Sequence, residues 1–91
     1  MNRKYIRNQS FLSEDMGDGV LLLNTADNQV IELNQTSARL WRRLNHPATW
    51  TELVQELQSH YPDVDAGTLE ADAEDFVSQA TACKAIQETG D

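Results

Sequence analysis

The side chains of this sequence that could carry catalysis or bind a metal are few and far apart. His46 and His60 lie near predicted helix ends, and Cys83 is distant from both, so their spacing matches no zinc or haem site. Cys83 falls on the apolar side of a predicted helix, where a cysteine packs as a small hydrophobic residue. The four glycines are scattered and form no phosphate-binding loop. The sequence therefore predicts no catalytic residue, no metal and no cofactor, and a protein that is not an enzyme.

The charged residues are distributed unevenly. Fifteen Asp and Glu outnumber seven Lys and Arg, and no Lys or Arg occurs between Leu44 and Cys83. Asp72 and Asp75 lie on the polar side of a predicted helix, where carboxylates are ordinarily solvated rather than paired for acid–base chemistry. Because nucleic-acid affinity comes largely from cationic side chains, this half disfavours a nucleic-acid partner. A solvated acidic surface is the simpler interpretation, and binding of basic segments of a partner is the alternative.

Length and composition predict one cytoplasmic domain spanning residues 1–91. The longest apolar run, Val20–Leu23, is far shorter than the roughly 20 residues that cross a membrane, and no apolar signal core follows the basic N-terminus. A single cysteine cannot form an internal disulfide, which fits a reducing compartment. Residues 1–9 are polar and basic, and we expect them to be flexible or part of the first strand.

Short strands are predicted in the first third of the chain. One lies around Ser10–Glu14, and "VLLLN" follows the turn-like "MGDG". "QVIEL" alternates, with Val30 and Glu32 on one face and Ile31 and Leu33 on the other. The short polar loop "TADN" between these last two segments predicts an antiparallel hairpin. The result is a small sheet of two or three strands.

Three helices are predicted to follow the sheet. The first, "QTSARLWRRLN", can be capped by Asn34 or Thr36 and has one apolar face. The second begins at the capping box formed by Thr49 and Glu52. The third is predicted from about Thr68 to Ile86, with an apolar side and an acidic side.

Two segments carry a resemblance to a known family. "DGVLLLNTADNQVIELNQTSARLW" and "TWTELVQELQSHYPDVDAGTLEADAEDFVSQ" are similar to the PqqD-like family, the recognition elements for precursor peptides in ribosomal peptide modification pathways. The similarity covers about residues 10–85. Its main features are the apolar strand after Asp-Gly, Leu33-Asn34, Trp41 and Asp72 with the Phe76-Val77 pair. The length and "LNQTSARLW" look similar to stand-alone members from lasso-peptide clusters.

The resemblance implies an α+β fold in which a three-stranded antiparallel sheet packs on three helices, as in a winged helix-turn-helix. It also implies that the leader segment of a precursor peptide adds as a strand to the third strand, with its apolar side chains between that strand and the third helix. The peptide-binding residues predicted in this way are Gln29, Val30, Ile31, Glu32, Leu33, Leu69, Asp72, Ala73, Phe76, Val77 and Ala80.

General physics supports the same use of the third strand. An edge strand exposes unpaired N–H and C=O groups, which can bind an extended peptide with little sequence preference, while a neighbouring groove selects side chains. The apolar residues of the third helix could instead form only a core stripe. Glu32, if it faces the groove, would favour a leader carrying Lys or Arg. Two copies of the chain could also pair through the same edge.

The partners implied are a precursor leader peptide and a leader protease, cyclase or radical enzyme of the same pathway, with no membrane. Many relatives end the third helix with a short apolar segment, whereas this chain ends in "CKAIQETGD", so we expect a reduced or missing C-terminal wing. One alternative is a chaperone for a radical enzyme in quinone cofactor biosynthesis. The other is a winged-helix DNA-binding regulator whose contacts come from basic residues: Arg3, Lys4, Arg7, Arg39, Arg42 and Arg43.

Overall fold

Residues 3–89 are described by the computed structural model and form six strands and three helices. In chain order these elements are β1 Lys4–Arg7, β2 Phe11–Asp15, β3 Val20–Asn24, β4 Gln29–Leu33, α1 Gln35–Arg43, β5 Ala48–Thr49, α2 Trp50–His60, α3 Ala66–Ala82 and β6 Ile86–Thr89.

The predicted hairpin is present and belongs to a three-stranded antiparallel sheet with the order β2-β3-β4. Val20 pairs with Leu33 and Leu22 pairs with Ile31, so these four side chains share the face that packs on the helices. The strand predicted around Ser10–Glu14 is β2, one residue further along. Among the described residues β4 pairs only with β3, which leaves its other side as a sheet edge.

A second three-stranded antiparallel sheet, with the order β5-β1-β6, corrects two expectations. Lys4–Arg7 neither continue the first strand nor remain without regular structure, because they form β1 between β5 and β6. The C-terminal wing is not missing, because Ile86–Thr89 form β6 and pair with all four residues of β1. The apolar side chains of Tyr5 and Ile86 are buried, which stabilises this closure of the chain ends. Met1, Asn2, Gly90 and Asp91 lie outside the described residues.

The helix boundaries follow from capping side chains. Asn34 caps α1 by accepting a hydrogen bond from the Ser37 N–H at 2.8 Å, while Thr36 lies inside the helix. Asp65 accepts from the Thr68 N–H and starts α3 two residues before the predicted Thr68. The same helix ends at Ala82 instead of Ile86, because Lys84 adopts a left-handed conformation (φ 68°) that turns the chain into β6.

The predicted capping box of α2 is confirmed and gives a pH dependence that can be measured. The Thr49 N–H donates to the Glu52 carboxylate at 2.8 Å, and this hydrogen bond holds the pKa of Glu52 below its ordinary value of 4.5. The interaction stabilises the fold at neutral pH and is lost as the pH falls through the lowered pKa. We expect Glu52→Gln to flatten the fall in melting temperature between about pH 6 and about pH 3. Glu70→Gln, at an exposed position outside the capping box, should keep the wild-type slope.

The core lies between the three helices and the inner faces of the sheets. Trp41 is the largest fully buried side chain, and it packs with the aliphatic residues of α1, α2 and β3. The predicted apolar face of α1 is confirmed, since Ala38, Trp41 and Leu44 are all at most 1% exposed. Because α1 starts immediately after β4, burial of this face also fixes the position of the sheet edge.

Gly19 lies where the start of β3 passes closely over the end of β4. A Cβ atom at this position would overlap the carbonyl oxygen of Leu33, which is backbone and cannot move aside. We expect Gly19→Ala to lower the free energy of unfolding by about 1–3 kcal/mol, measured by urea denaturation. A Cβ at Gly67 would lie 3.0 Å from the Asp65 carboxylate, which caps α3 but can shift because it is a side chain, so Gly67→Ala should change the free energy of unfolding by less than about 1 kcal/mol. Equal effects of the two substitutions would contradict this explanation.

Candidate functional site

A groove of about 880 Å³ lies between the open edge of β4 and one side of α3. Its floor is apolar and is formed by Leu22, Ile31 and Leu33 from the sheet with Phe76 and Ala80 from the helix. One end is closed by the loop before β3 and by the first turn of α1. A concave apolar surface bounded by polar groups is the usual form of a ligand site.

The helix side of the groove consists of residues three and four positions apart on α3. Phe76 and Ala80 are buried and form part of the floor, whereas Asp72, Asp75 and Gln79 form the rim. Ala80 carries only a methyl group, which leaves space above the floor at its position. The groove can therefore accept side chains from a ligand lying along β4.

The strand side of the groove is a sheet edge. Gln29, Ile31 and Leu33 line it, as expected for alternate residues of one strand face. Within residues 3–89, β4 has a neighbour on one side only, so the N–H and C=O groups of every second residue point to its open side and lack a partner in the sheet. An extended peptide placed here would complete a fourth strand, and its alternate side chains would enter the groove.

The Asp, Glu, Lys and Arg residues that line the groove are all acidic: Asp18, Glu32, Asp72 and Asp75. Within residues 3–89, none of the four forms an ion pair with a Lys, Arg or His side chain. The groove thus combines an apolar floor with a negatively charged rim.

A protein-family model matches most of this chain. The model of coenzyme PQQ synthesis protein D (PqqD) matches residues 19–86, which include β3, β4 and all three helices. The chain belongs to the PqqD family. The match includes both sides of the groove, so the site is built from the segment that PqqD proteins share. Among curated proteins, no relative matches this PqqD-family chain in sequence.

A solved structure shares the fold of this PqqD-family chain. It is TbiB1 in complex with the TbiA(beta) leader peptide, and it superposes with a TM-score of 0.80 at 23% sequence identity. The match covers 94% of this chain and 99% of TbiB1. The predicted α+β fold, with three-stranded antiparallel pairing packed on three helices, is thereby confirmed.

The groove of this PqqD-family chain contains seven of the eleven residues predicted to bind peptide. Those that line it are Gln29, Ile31, Glu32, Leu33, Asp72, Phe76 and Ala80. Four others do not line it. Leu69 and Ala73 are buried in the core, Val77 packs against the core, and Val30 is 58% exposed on the opposite face of the sheet.

Glu32 does not face into the groove, which was the orientation considered in the sequence analysis. In the strand register Glu32 lies opposite Leu21, on the outer face together with Val30, whereas Ile31 and Leu33 face the helices. Glu32 therefore borders the groove at its outer edge and does not form the wall of it. The helix supplies that wall.

On α3 and its C-cap, three groove residues were missed from the sequence: Asp75, Gln79 and Cys83. They follow Asp72 and Phe76 at intervals of three and four, which is the signal that could have found them. The Cys83 thiol donates weakly to the Ala80 carbonyl oxygen at 3.5 Å, so this cysteine lines the end of the groove as a small, half-buried side chain.

The arginines of the DNA-binding alternative are engaged within the protein. The Arg7 guanidinium lies 5.0 Å from the centre of the Trp41 ring, and burial lowers the pKa of Arg7 from its ordinary value. Arg39 lies over Tyr61 at 5.8 Å, and Arg42 forms an ion pair with Asp15 at 2.9 Å. These contacts weigh against a basic surface that is free to bind phosphates.

Residues 3–89 contain no group of three or more His, Cys, Asp or Glu side chains placed to hold a metal ion. No helix in this range has both the length and the apolar composition needed to span a membrane.

Proposed function

We propose that this protein binds the leader segment of a ribosomally synthesised precursor peptide and presents it, without catalysing a reaction itself, to a leader protease or modifying enzyme. The observation that carries the proposal is the open edge of β4 beside an apolar groove. Membership of the PqqD family and the shared fold with TbiB1, which was solved with a leader peptide, support the same use.

The binding mode is β-strand addition. Backbone hydrogen bonds to Gln29–Leu33 hold the leader in an extended conformation, each contributing about 0.5–1.5 kcal/mol. Alternate leader side chains enter the groove and bury apolar area against Ile31, Phe76 and Ala80. A few such contacts, after the entropy lost on ordering the peptide, give an affinity on the order of micromolar.

Presentation follows from the geometry of an added strand. The groove holds only a short segment of an extended chain, so the rest of the precursor leaves the site and stays accessible to an enzyme. The partner enzyme is a leader protease in the lasso-peptide type of pathway, and a cyclase or radical enzyme in related ones. Formation of the complex takes place in the cytoplasm, where precursor peptides are synthesised.

A pair of peptides tests strand addition directly. In an extended peptide, alternate N–H groups point to opposite sides, so only every second one faces β4. Two versions of the leader encoded beside the gene, N-methylated at odd or at even positions, should differ sharply. One version should bind within about 3-fold of the unmodified leader, and the other should lose at least about 30-fold. Equal binding of both versions would contradict addition to the edge, and no binding of the unmodified leader would refute the function.

The family description favours one second candidate, which uses the same site. As a chaperone in quinone cofactor biosynthesis, the protein would bind the peptide precursor of pyrroloquinoline quinone. Titration of this precursor and of the leader encoded beside the gene, under identical conditions, separates the two. At least about 10-fold tighter binding of the quinone precursor would favour the chaperone.

A further inference from the structure

The groove has two chemically different ends. A shallower hollow adjoins it at the Gln29 end of β4 and shares Gln29, Gln79 and Cys83 with it. The C-terminal end of α3 therefore lies beside Gln29, and the helix runs in the opposite direction to β4. This arrangement places Asp72 and Asp75 closer to the Leu33 end than Gln79 is, whereas the hollow beside Gln29 is lined by one acidic and one basic residue, Asp27 and Lys84.

The end of the groove that carries Asp72 and Asp75, here called the acidic end, loses water when a peptide covers it. Asp72 and Asp75 project from a helix without a Lys or Arg anywhere between Ala66 and Ala82. A wholly apolar peptide would exclude water from these carboxylates and provide no partner, which is costly for a charged group. A Lys or Arg side chain at the same place forms charge-assisted hydrogen bonds with them.

Position along the peptide follows from strand geometry. Side chains that enter the groove come from alternate residues, which lie roughly 6.6–6.8 Å apart. A strand added antiparallel to β4, as every described pair in this sheet is antiparallel, begins at the Leu33 end. Its first groove-facing residue then meets the acidic end, and the next one along meets Ile31, Phe76 and Ala80.

We propose that the groove selects leader segments in which Lys or Arg lies two residues before an apolar residue. This inference rests on the proposed function. Asp72 and Asp75 determine this specificity through the cationic side chain. Ile31, Phe76 and Ala80 accept the apolar one.

The test uses synthetic peptides of equal length that differ only in this motif. One contains Lys-x-Leu, a second Leu-x-Lys and a third Glu-x-Leu, all in the same Thr- and Val-rich background, and binding is followed by fluorescence anisotropy. We expect Lys-x-Leu to bind roughly 10-fold tighter than each of the others, and the advantage over Glu-x-Leu to shrink at high salt. Equal affinities for the Lys and Glu peptides would overturn the proposal, and tighter binding of Leu-x-Lys would overturn its direction.

Two double variants distinguish the effect of the groove carboxylates on peptide binding from the effect of the net charge of the protein. Asp72→Asn with Asp75→Asn removes two carboxylates from the groove, whereas Glu70→Gln with Glu74→Gln removes two from exposed positions on the opposite side of α3. The first pair should abolish the preference for Lys over Glu, and the second should keep it. An unchanged preference in the groove variant would refute the role of Asp72 and Asp75. Failure of every peptide to bind, the encoded leader and the TbiA(beta) leader included, would instead refute the proposed function, and this inference with it.

Discussion

Replacing Ile31 with aspartate is expected to weaken leader binding about 100-fold, measured by anisotropy or calorimetry. The Ile31 side chain lies on the floor of the groove, packed against the core and beside Phe76. Aspartate removes the apolar surface that a leader side chain would cover and adds a charge that a bound peptide would desolvate. The new carboxylate would also lie in a groove that already carries Asp72 and Asp75.

The neighbouring residue supplies a matched control. Val30→Asp introduces the same side chain one position away, on the outer face of the same strand, where Val30 is 58% exposed. Leader affinity should change by less than about 3-fold. Circular dichroism and urea unfolding establish that both variants fold. Comparable losses of binding in two folded variants would show that the groove face of β4 has no special role.

Replacing Trp41 with alanine is expected to lower the free energy of unfolding by about 3–5 kcal/mol. Trp41 is 1% exposed and fills the space between α1 and the rest of the core, so alanine leaves a cavity that its neighbours cannot fill completely. The substitution also removes the contact between the Trp41 ring and the Arg7 guanidinium. A loss of this size is a large fraction of the roughly 5–15 kcal/mol that stabilises a typical domain.

Denaturation in urea measures this loss, and Trp50 remains as the fluorescent probe. Trp41→Phe keeps most of the buried apolar surface and should cost distinctly less, by about half or more. Leader binding should weaken in proportion to the unfolded fraction of Trp41→Ala, because α1 positions the end of β4. A cost below about 1 kcal/mol would show that α1 is not the anchor of the sheet edge.

Elements whose pattern is local could be predicted from the sequence. The alternation of Val30, Ile31, Glu32 and Leu33 defined β4, and the capping box at Thr49 defined the start of α2. Both signals act within a few residues, so no knowledge of distant contacts was needed.

The second sheet could not be predicted in the same way. Its strands contain only two to four residues, and β1 is paired with β6 from the other end of the chain, for example Lys4 with Thr89. Such pairings are stabilised by tertiary contacts between distant segments, and a four-residue strand carries too little periodicity to identify it alone.

The helix side of the site was predicted partly, because α3 carries two adjacent stripes. Leu69, Ala73 and Val77 belong to the core stripe, whereas Asp72, Asp75 and Gln79 face the groove, and Phe76 and Ala80 lie between the two. Hydrophobicity identifies the first stripe, and it cannot show that the polar residues beside it line a groove. Only the position of β4 against the helix distinguishes them.

Amide hydrogen exchange of the complex shows directly whether the backbone of β4 binds the leader. Saturating leader peptide should slow exchange at the open-edge amides of Gln29–Leu33 by at least about 10-fold and leave β2, β5 and β6, the other outer strands, unchanged. Protection at β2, β5 or β6, or around Arg39–Arg43 instead of β4, would contradict leader binding by strand addition to β4.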